Sequence, residues 1–327
     1  MIKSGKGDKS MKKRYLYISL LAIVLIIAGV FLMFNLEKFS MKRDLKARNM
    51  IVIWDERELK GEAVNNISRL YQYNFGGQEI ILEDKYKFFD FTFSDDKQRL
   101  LSFVGNRGKF DIVEYDMEKR QLKPILSSQE VEEYLEESVD VKGKQSKEGS
   151  CVRYYDHENK ISFRYGSYIM SFSETEGFEI LYSSGSLGRT YDWIENDSAL
   201  LIIDGTDLIK YSIKTKEKTT LIEQSASFSF AVSSDDKFLV YEDRGDGYLY
   251  LCNLEDGEKR RLCRRYHPFP DLQISEDNKY LLCSDAVEIF PSTMKYWLYI
   301  VNLENGRRLK IKDWGLDAEV WGATWNQ

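Results

Sequence analysis

One pattern narrows the possible folds of this chain more than any other. An alternating apolar strand, a polar turn and a second strand recur six times between Leu70 and Lys310. Clear copies are Leu208-Ile209-Lys210-Tyr211-Ser212-Ile213 before Lys214 to Lys218, Leu249 to Leu254 before Glu255-Asp256-Gly257, and Leu298 to Leu303 before Glu304-Asn305-Gly306. Leu70 to Phe75, Ile112 to Met117 and Tyr168 to Phe172 begin the other three. The equivalent residues Asn74, Asp116, Ser173, Ser212, Asn253 and Asn302 lie 42, 57, 39, 41 and 49 residues apart. Strict alternation suits strands with two different faces, and a period near 40 residues is the size of a propeller blade.

A second unit lies between the hairpins. Phe93-Ser94-Asp95-Asp96-Lys97 leads to Leu100-Leu101, Val232-Ser233-Ser234-Asp235-Asp236-Lys237 leads to Leu239-Val240, and Ile274-Ser275-Glu276-Asp277-Asn278 leads to Leu281-Leu282. Each period then holds four short strands, which is the makeup of a blade. The run Ser94-Asp95-Asp96-Lys97, with Asn106-Arg107-Gly108 and Asp111-Ile112 after it, resembles the WD-like repeats of TolB-type six-bladed propellers. Asp243-Arg244-Gly245-Asp246-Gly247-Tyr248 followed by Asn253-Leu254-Glu255-Asp256-Gly257 carries the same resemblance, which covers about residues 50–327. It implies an all-β, six-bladed propeller of four-stranded blades and transfers no activity.

The two ends of this region complement each other. Trp321-Gly322-Ala323-Thr324-Trp325-Asn326 repeats the first-strand pattern of Phe89-Asp90-Phe91-Thr92-Phe93-Ser94 and has no partners after it, while Ile51 to Trp54 and the Leu70 hairpin supply the three strands it lacks. The expectation is five continuous blades and one composite N/C-terminal blade that closes the ring and leaves no unpaired sheet ends.

Before the repeats, Tyr15 to Leu36 contains no charged residue over 22 positions, enough for a helix to cross a bilayer of about 30 Å. The sequence therefore divides into a basic tail 1–14, a transmembrane helix 15–36, a juxtamembrane linker 37–49 and a propeller 50–327. Six Lys/Arg precede the apolar run and five follow it closely, which orients the tail to the cytoplasm and the propeller outside, in a single-pass cell-membrane protein of bacterial type. The first 48 residues carry eleven Lys/Arg against three Asp/Glu, so the other 279 hold a net charge of −14 within a chain total of −6. An acidic head lacks the footprint for neutralising phosphates, so nucleic acid is not an expected partner.

The chemistry-bearing residues are sparse. Cys151, Cys252, Cys263 and Cys283 have no metal-ligand spacing and are expected as buried free thiols; His157 and His267 fall in turn sequences. No nucleophile elbow, phosphate loop or metalloprotease motif occurs, and neither cofactor nor metal is expected. Aligning the repeats places Asp90 and Asp271 at one first-strand position, and Arg153, Asp192 and Gln273 two residues on, where they would line the mouth of a central channel.

Residues 127–150 form an insertion. Ser127 and Glu130 have capping-box spacing, and Val131, Tyr134, Leu135 and Val139 are spaced as one helix face among five glutamates, which reads as an acidic helix packed over a blade edge. Lys259 to Arg265 is basic, as are Lys216 to Lys218 and Arg307 to Lys310 at the same outer-strand position, a pattern that deters edge-to-edge aggregation. Together these features predict a non-enzymatic scaffold that binds an extracytoplasmic protein or glycan; the competing reading is a glycoside hydrolase using channel-mouth carboxylates.

Overall fold

The computed structural model describes residues 7–46, 48–60, 63–74, 77–84, 88–106, 109–139, 147–156, 159–224, 226–265, 272–290, 293–313 and 318–326. Two compact units separate between Ala47 and Arg48. The first contains the helix α1 (Gly7–Leu45), which extends beyond the apolar run at both ends. Its segment Leu20–Leu45 is long and apolar enough to cross a membrane, a test that an N-terminal signal sequence also passes.

The second unit is built almost wholly of antiparallel strands. It begins with β1 (Asn49–Lys60), β2 (Ala63–Asn74) and β3 (Gly77–Asp84). Blade 1 then comprises β4 (Phe88–Phe93), β5 (Arg99–Asn106), β6 (Lys109–Asp116) and β7 (Gln121–Ser127), followed by α2 (Ser128–Ser138). Blade 2 is β8 (Gly149–Tyr155), β9 (Lys160–Tyr165), β10 (Tyr168–Ser173) and β11 (Gly177–Ser183); blade 3 is β12 (Leu187–Ile194), β13 (Ala199–Asp204), β14 (Asp207–Ser212) and β15 (Lys218–Ile222). Blade 4 is β16 (Ala226–Val232), β17 (Phe238–Asp243), β18 (Tyr248–Asn253) and β19 (Lys259–Arg264). Blade 5 is β20 (Leu272–Ile274), β21 (Tyr280–Phe290), β22 (Thr293–Asn302) and β23 (Arg308–Asp313), and β24 (Ala318–Asn326) comes last.

Each of these blades is a four-stranded sheet in sequence order, so the all-β propeller of four-stranded blades stands. Counted as runs of continuous chain, however, the blades number five, not six. The sixth repeat has no stretch of chain of its own: its sheet has the order β24-β1-β2-β3 and is spliced from opposite ends of the head. β24 pairs with β1 from Asn49↔Asn326 to Glu56↔Ala318, with one irregularity at Ile53/Trp54.

Period-two alternation explains the packing. Along β13, Leu200 and Ile202 face Tyr191, Ile169 and Leu181 on the side of blade 2, whereas Leu201 and Ile203 join Phe230, Leu239 and Tyr241 of blade 4. Both faces of a middle strand are therefore buried, which is why β13 reads Ala-Leu-Leu-Ile-Ile rather than apolar-polar. The core is accordingly a series of interblade layers. The layer between blades 1 and 2 also takes in Val131 and Leu135 of α2, whose capping box is formed by Ser127 and Glu130 as the sequence implies. Tyr134 stacks on Phe178 at 4.8 Å, so this insertion is anchored to blade 2 along its apolar face.

The repeated serine turns have a common construction. The hydroxyls of Ser94, Ser233 and Ser275 accept the backbone N–H groups of Arg99, Phe238 and Tyr280 at 2.9, 3.0 and 3.0 Å. Lys97, Asp236 and Asn278, three residues on, have φ of 59°, 55° and 59°. Neighbouring turns are stitched together: Asp156 N–H donates to Asp197, Glu195 N–H to Asp236 and Ser234 N–H to Asn278, at 2.8, 2.7 and 3.2 Å. In the spliced sheet β24 and β1 are not consecutive in sequence, so no such turn joins them. There Arg48 donates twice to Asp277, at 3.1 and 2.6 Å, and lies over the rings of Tyr280 and Trp325.

Burial raises the proton affinity of Asp277, but hydrogen bonds from Arg48 and Ser275 outweigh it and hold the carboxyl below its ordinary value of 3.8. A carboxyl lowered in the folded state stabilises above its unfolded pKa and loses that contribution as pH falls toward the folded one. Arg48→Ala should cost about 1 kcal/mol at neutral pH, given the partial exposure of the pair, and should reduce the loss of stability on acidification below about pH 4. Urea denaturation across the acid range measures both. Removal of residues 320–327 takes most of β24 and should abolish the single cooperative melting transition of the head, followed by near-ultraviolet circular dichroism.

Candidate channel site

The first strands β4, β8, β12, β16, β20 and β24 touch in that order, and β24 returns to β4. Residues on their inner side converge on the axis. In β4 and β8 the pairing shifts by one residue, at Phe89/Phe91 and at Ser150/Val152, and the residue left over is Asp90 in one strand and Cys151 in the other. Both adopt left-handed backbone, with φ of 57° and 55°. Asparagine and aspartate tolerate that region, whereas a cysteine held there is strained and must be fixed by its surroundings.

Its surroundings do fix it. The N–H of Cys151 donates to Oδ2 of Asp90, its thiol donates to the carbonyl of Tyr191 at 3.1 Å, and the Tyr191 N–H returns to the sulfur at 3.5 Å. Tyr191 Oη and Trp193 Nε1 both donate to Ser162 Oγ at 2.8 Å, tying β12 to blade 2. One hydrogen-bonded chain thus crosses three blades. Burial pushes the Cys151 thiol up to about 12, so it remains protonated and serves as a structural donor.

Arg153, two residues after Cys151, stands between carboxylates from the adjacent blades. Its Nε lies 3.4 Å from Asp192 Oδ1 and its Nη1 lies 3.8 Å from Asp90 Oδ1, while Nη1 also donates to the Val152 carbonyl at 2.8 Å. Burial opposes the charge on this guanidinium, and the carboxylates of Asp192 and Asp90 reverse that effect, so Arg153 is held cationic. The arginine side chain is 14% exposed and the two carboxylates 30% and 32%, which leaves carboxylate oxygen facing solvent on either side of a covered cation.

Three of the five residues selected from the sequence therefore meet. Gln273 does not join them: it lies on β20, beyond β16, and its backbone carbonyl accepts Trp325 Nε1 at 3.0 Å. Asp271, His157 and His267 lie outside the described residues. Cys151 was within reach of the repeat alignment, because it occupies the Asp90 position one blade on, but a thiol in place of a carboxylate gave no reason to select it. Among the described residues there is no group of three or more His, Cys, Asp or Glu placed to hold a metal ion. All four cysteines are free, with Cys151, Cys252 and Cys283 buried.

The basic outer-strand run corrects the simplest view of an exposed charged edge. Arg261 lies 4.2 Å from the Tyr248 ring centroid, Arg260 donates to the Leu303 carbonyl, and Arg265 is buried against Glu242 at 3.2 Å. Arg265 also reaches Ser229 and the Ser284 carbonyl, so the end of the run braces blade 4 against blade 5.

No protein-family model matches this sequence, and no curated protein sequence matches it. Among solved structures, TolB from Acinetobacter baumannii superposes with a TM-score of 0.64 at 12% identity, covering 86% of this chain and 67% of that one. A chain of the nidogen/laminin complex gives 0.56 at 10% identity, with 84% and 98% covered. A putative 6-phosphogluconolactonase from Bacteroides fragilis gives 0.50 at 12%, with 86% and 98% covered. At such identities the likeness establishes the propeller fold alone.

Arg153→Met removes the cation from between two carboxylates and should cost about 2 kcal/mol, more than an exposed ion pair would. Adding Asp90→Asn and Asp192→Asn to that variant should restore part of the loss. Thermal denaturation of the single and triple variants tests the coupling.

Proposed function

We propose that the chain is a membrane-tethered, extracytoplasmic β-propeller that works as a protein- or glycan-binding scaffold, with the spliced sheet acting as a sixth blade. The tether is the apolar stretch 15–36, with residues 1–14 in the cytoplasm and the head beyond 50 outside. The six Lys/Arg before the apolar run, against five soon after it, support that orientation. The observation that carries the binding reading is the position of Arg153. It ties Asp90 and Asp192 into a brace across three blades and fills the space between them, where a glycoside hydrolase needs room for water or sugar. With its carboxylates used in this way, the head offers rigid loop faces for recognition.

One neighbouring fold fits such a role, since it was solved in the nidogen/laminin complex, an assembly of two proteins. A hydrolytic reading draws on the part-exposed oxygens of Asp90 and Asp192 and on the enzyme named among the solved neighbours. The full chain in nanodiscs, screened against envelope extracts, separates the two. Partner capture that persists in Asp90→Ala and Asp192→Ala supports the scaffold; glycan turnover that disappears in those variants supports the enzyme and overturns it. Orientation is tested with Glu255→Cys, an exposed turn position, and a membrane-impermeant thiol reagent on intact cells. Labelling supports an external head, and labelling only after lysis contradicts it.

A further inference from the structure

Away from the channel, a cleft of about 530 Å³ lies between blades 1 and 2. Its size falls within the range of small-molecule sites, about 300–1,000 Å³. The apolar part of its lining includes Leu101, Ile125, Ile161 and Phe172, and Tyr154 sets a phenol beside them. Charged side chains of both signs complete the wall, and they are already matched to one another.

Arg99 pairs with Glu114 at 3.3 Å and lies over the Tyr154 ring, whose hydroxyl donates to the same carboxylate at 2.8 Å. Lys123 pairs with Glu174 at 3.1 Å across the blade boundary, and Lys160 pairs with Glu176 and Asp156 within blade 2. This matching selects the ligand. An anionic ligand that takes Lys123 or Lys160 must compete with a carboxylate already paired there, and a cationic ligand that takes the carboxylates must compete with the lysines, so a net charge gains little at these part-exposed pairs. A hydroxyl group is donor and acceptor at once, so it can receive from the ammonium or guanidinium and give to the adjacent carboxylate without breaking the pair. The C–H face of a sugar ring is suited to the apolar patch. We propose that the cleft between blades 1 and 2 binds a neutral, hydroxyl-rich oligosaccharide.

This inference rests on the reading of the head as a binding module, but its site is separate from the channel cluster. The test is titration calorimetry of the full chain in nanodiscs with neutral trisaccharides (maltotriose, cellotriose, mannotriose and chitotriose) against charged counterparts, trigalacturonate and the glucosamine trimer. At least one neutral trisaccharide should bind, and both Glu114→Gln and Phe172→Ala should weaken it by about tenfold or more. Lys123→Gln changes a side chain that is 63% exposed, so it should leave folding intact while lowering the same affinity. Absence of binding by every neutral probe up to about 10 mM overturns the proposal, as does tighter binding of a charged counterpart. Binding that persists in Lys123→Gln and Glu114→Gln but falls in Asp192→Asn places the sugar at the channel and also overturns it, while leaving the scaffold reading in place.

Discussion

A ring of sheets is only as closed as its last seam, and in this protein the seam is made by hydrogen bonds rather than by continuous chain. β1 occupies an interior place in the spliced sheet, paired with β24 on one side and β2 on the other. Met50 and Trp325 are opposite one another in the register and both are buried, and Trp325 reaches past its own sheet to the Gln273 carbonyl. Loss of this pairing would split one sheet, leave β1 and β24 each with an unpaired edge, and open the interblade layers on either side. The Arg48 to Asp277 pairing belongs to the same seam, since it provides beside β1 a link that the other blades make from turn to turn.

Between the blades, cohesion comes from the alternation of each middle strand, whose side chains go in turn to the preceding and the following sheet. That arrangement distributes the apolar core over several layers, each one strand-face thick. Polar groups within such layers need hydrogen-bond partners there. Cys151, Tyr191 and Ser162 satisfy one another, and Arg265 is met by Glu242, Ser229 and a carbonyl. These buried polar links run between blades, where they set spacing as well as satisfying charge.

Much of this was legible in residue order. Repeats of near-constant length specify four-stranded units, the Ser127/Glu130 pair specifies a helix start, and the terminal patterns specify the strand that each end lacks. Asp90, Arg153 and Asp192 came together because successive first strands are neighbours around the axis and the two repeat positions concerned lie only two residues apart. The same rule could not place Gln273 with them, because β16 intervenes and carries the small Ala231 at the corresponding position. Arg265 was read as one more edge charge, since its burial depends on the path of the chain after β19 and on a carboxylate 23 residues earlier in sequence. The blade 1–2 cleft left no motif at all: its lining comes from six separate strands and turns, and its character lies in how opposite charges are matched across the boundary.

The chain passes from the first unit into the head at the seam. Residue 47 is joined directly to Arg48, and two residues later the chain is already inside β1. Any pull transmitted along the N-terminal helix is therefore delivered to an interior strand gripped from both sides, whose antiparallel bonds to β24 and β2 share the load. A peripheral strand in that place would peel away one bond at a time. Because the strand that follows the N-terminal helix has two neighbours, force arriving from that side would be carried by two rows of hydrogen bonds at once.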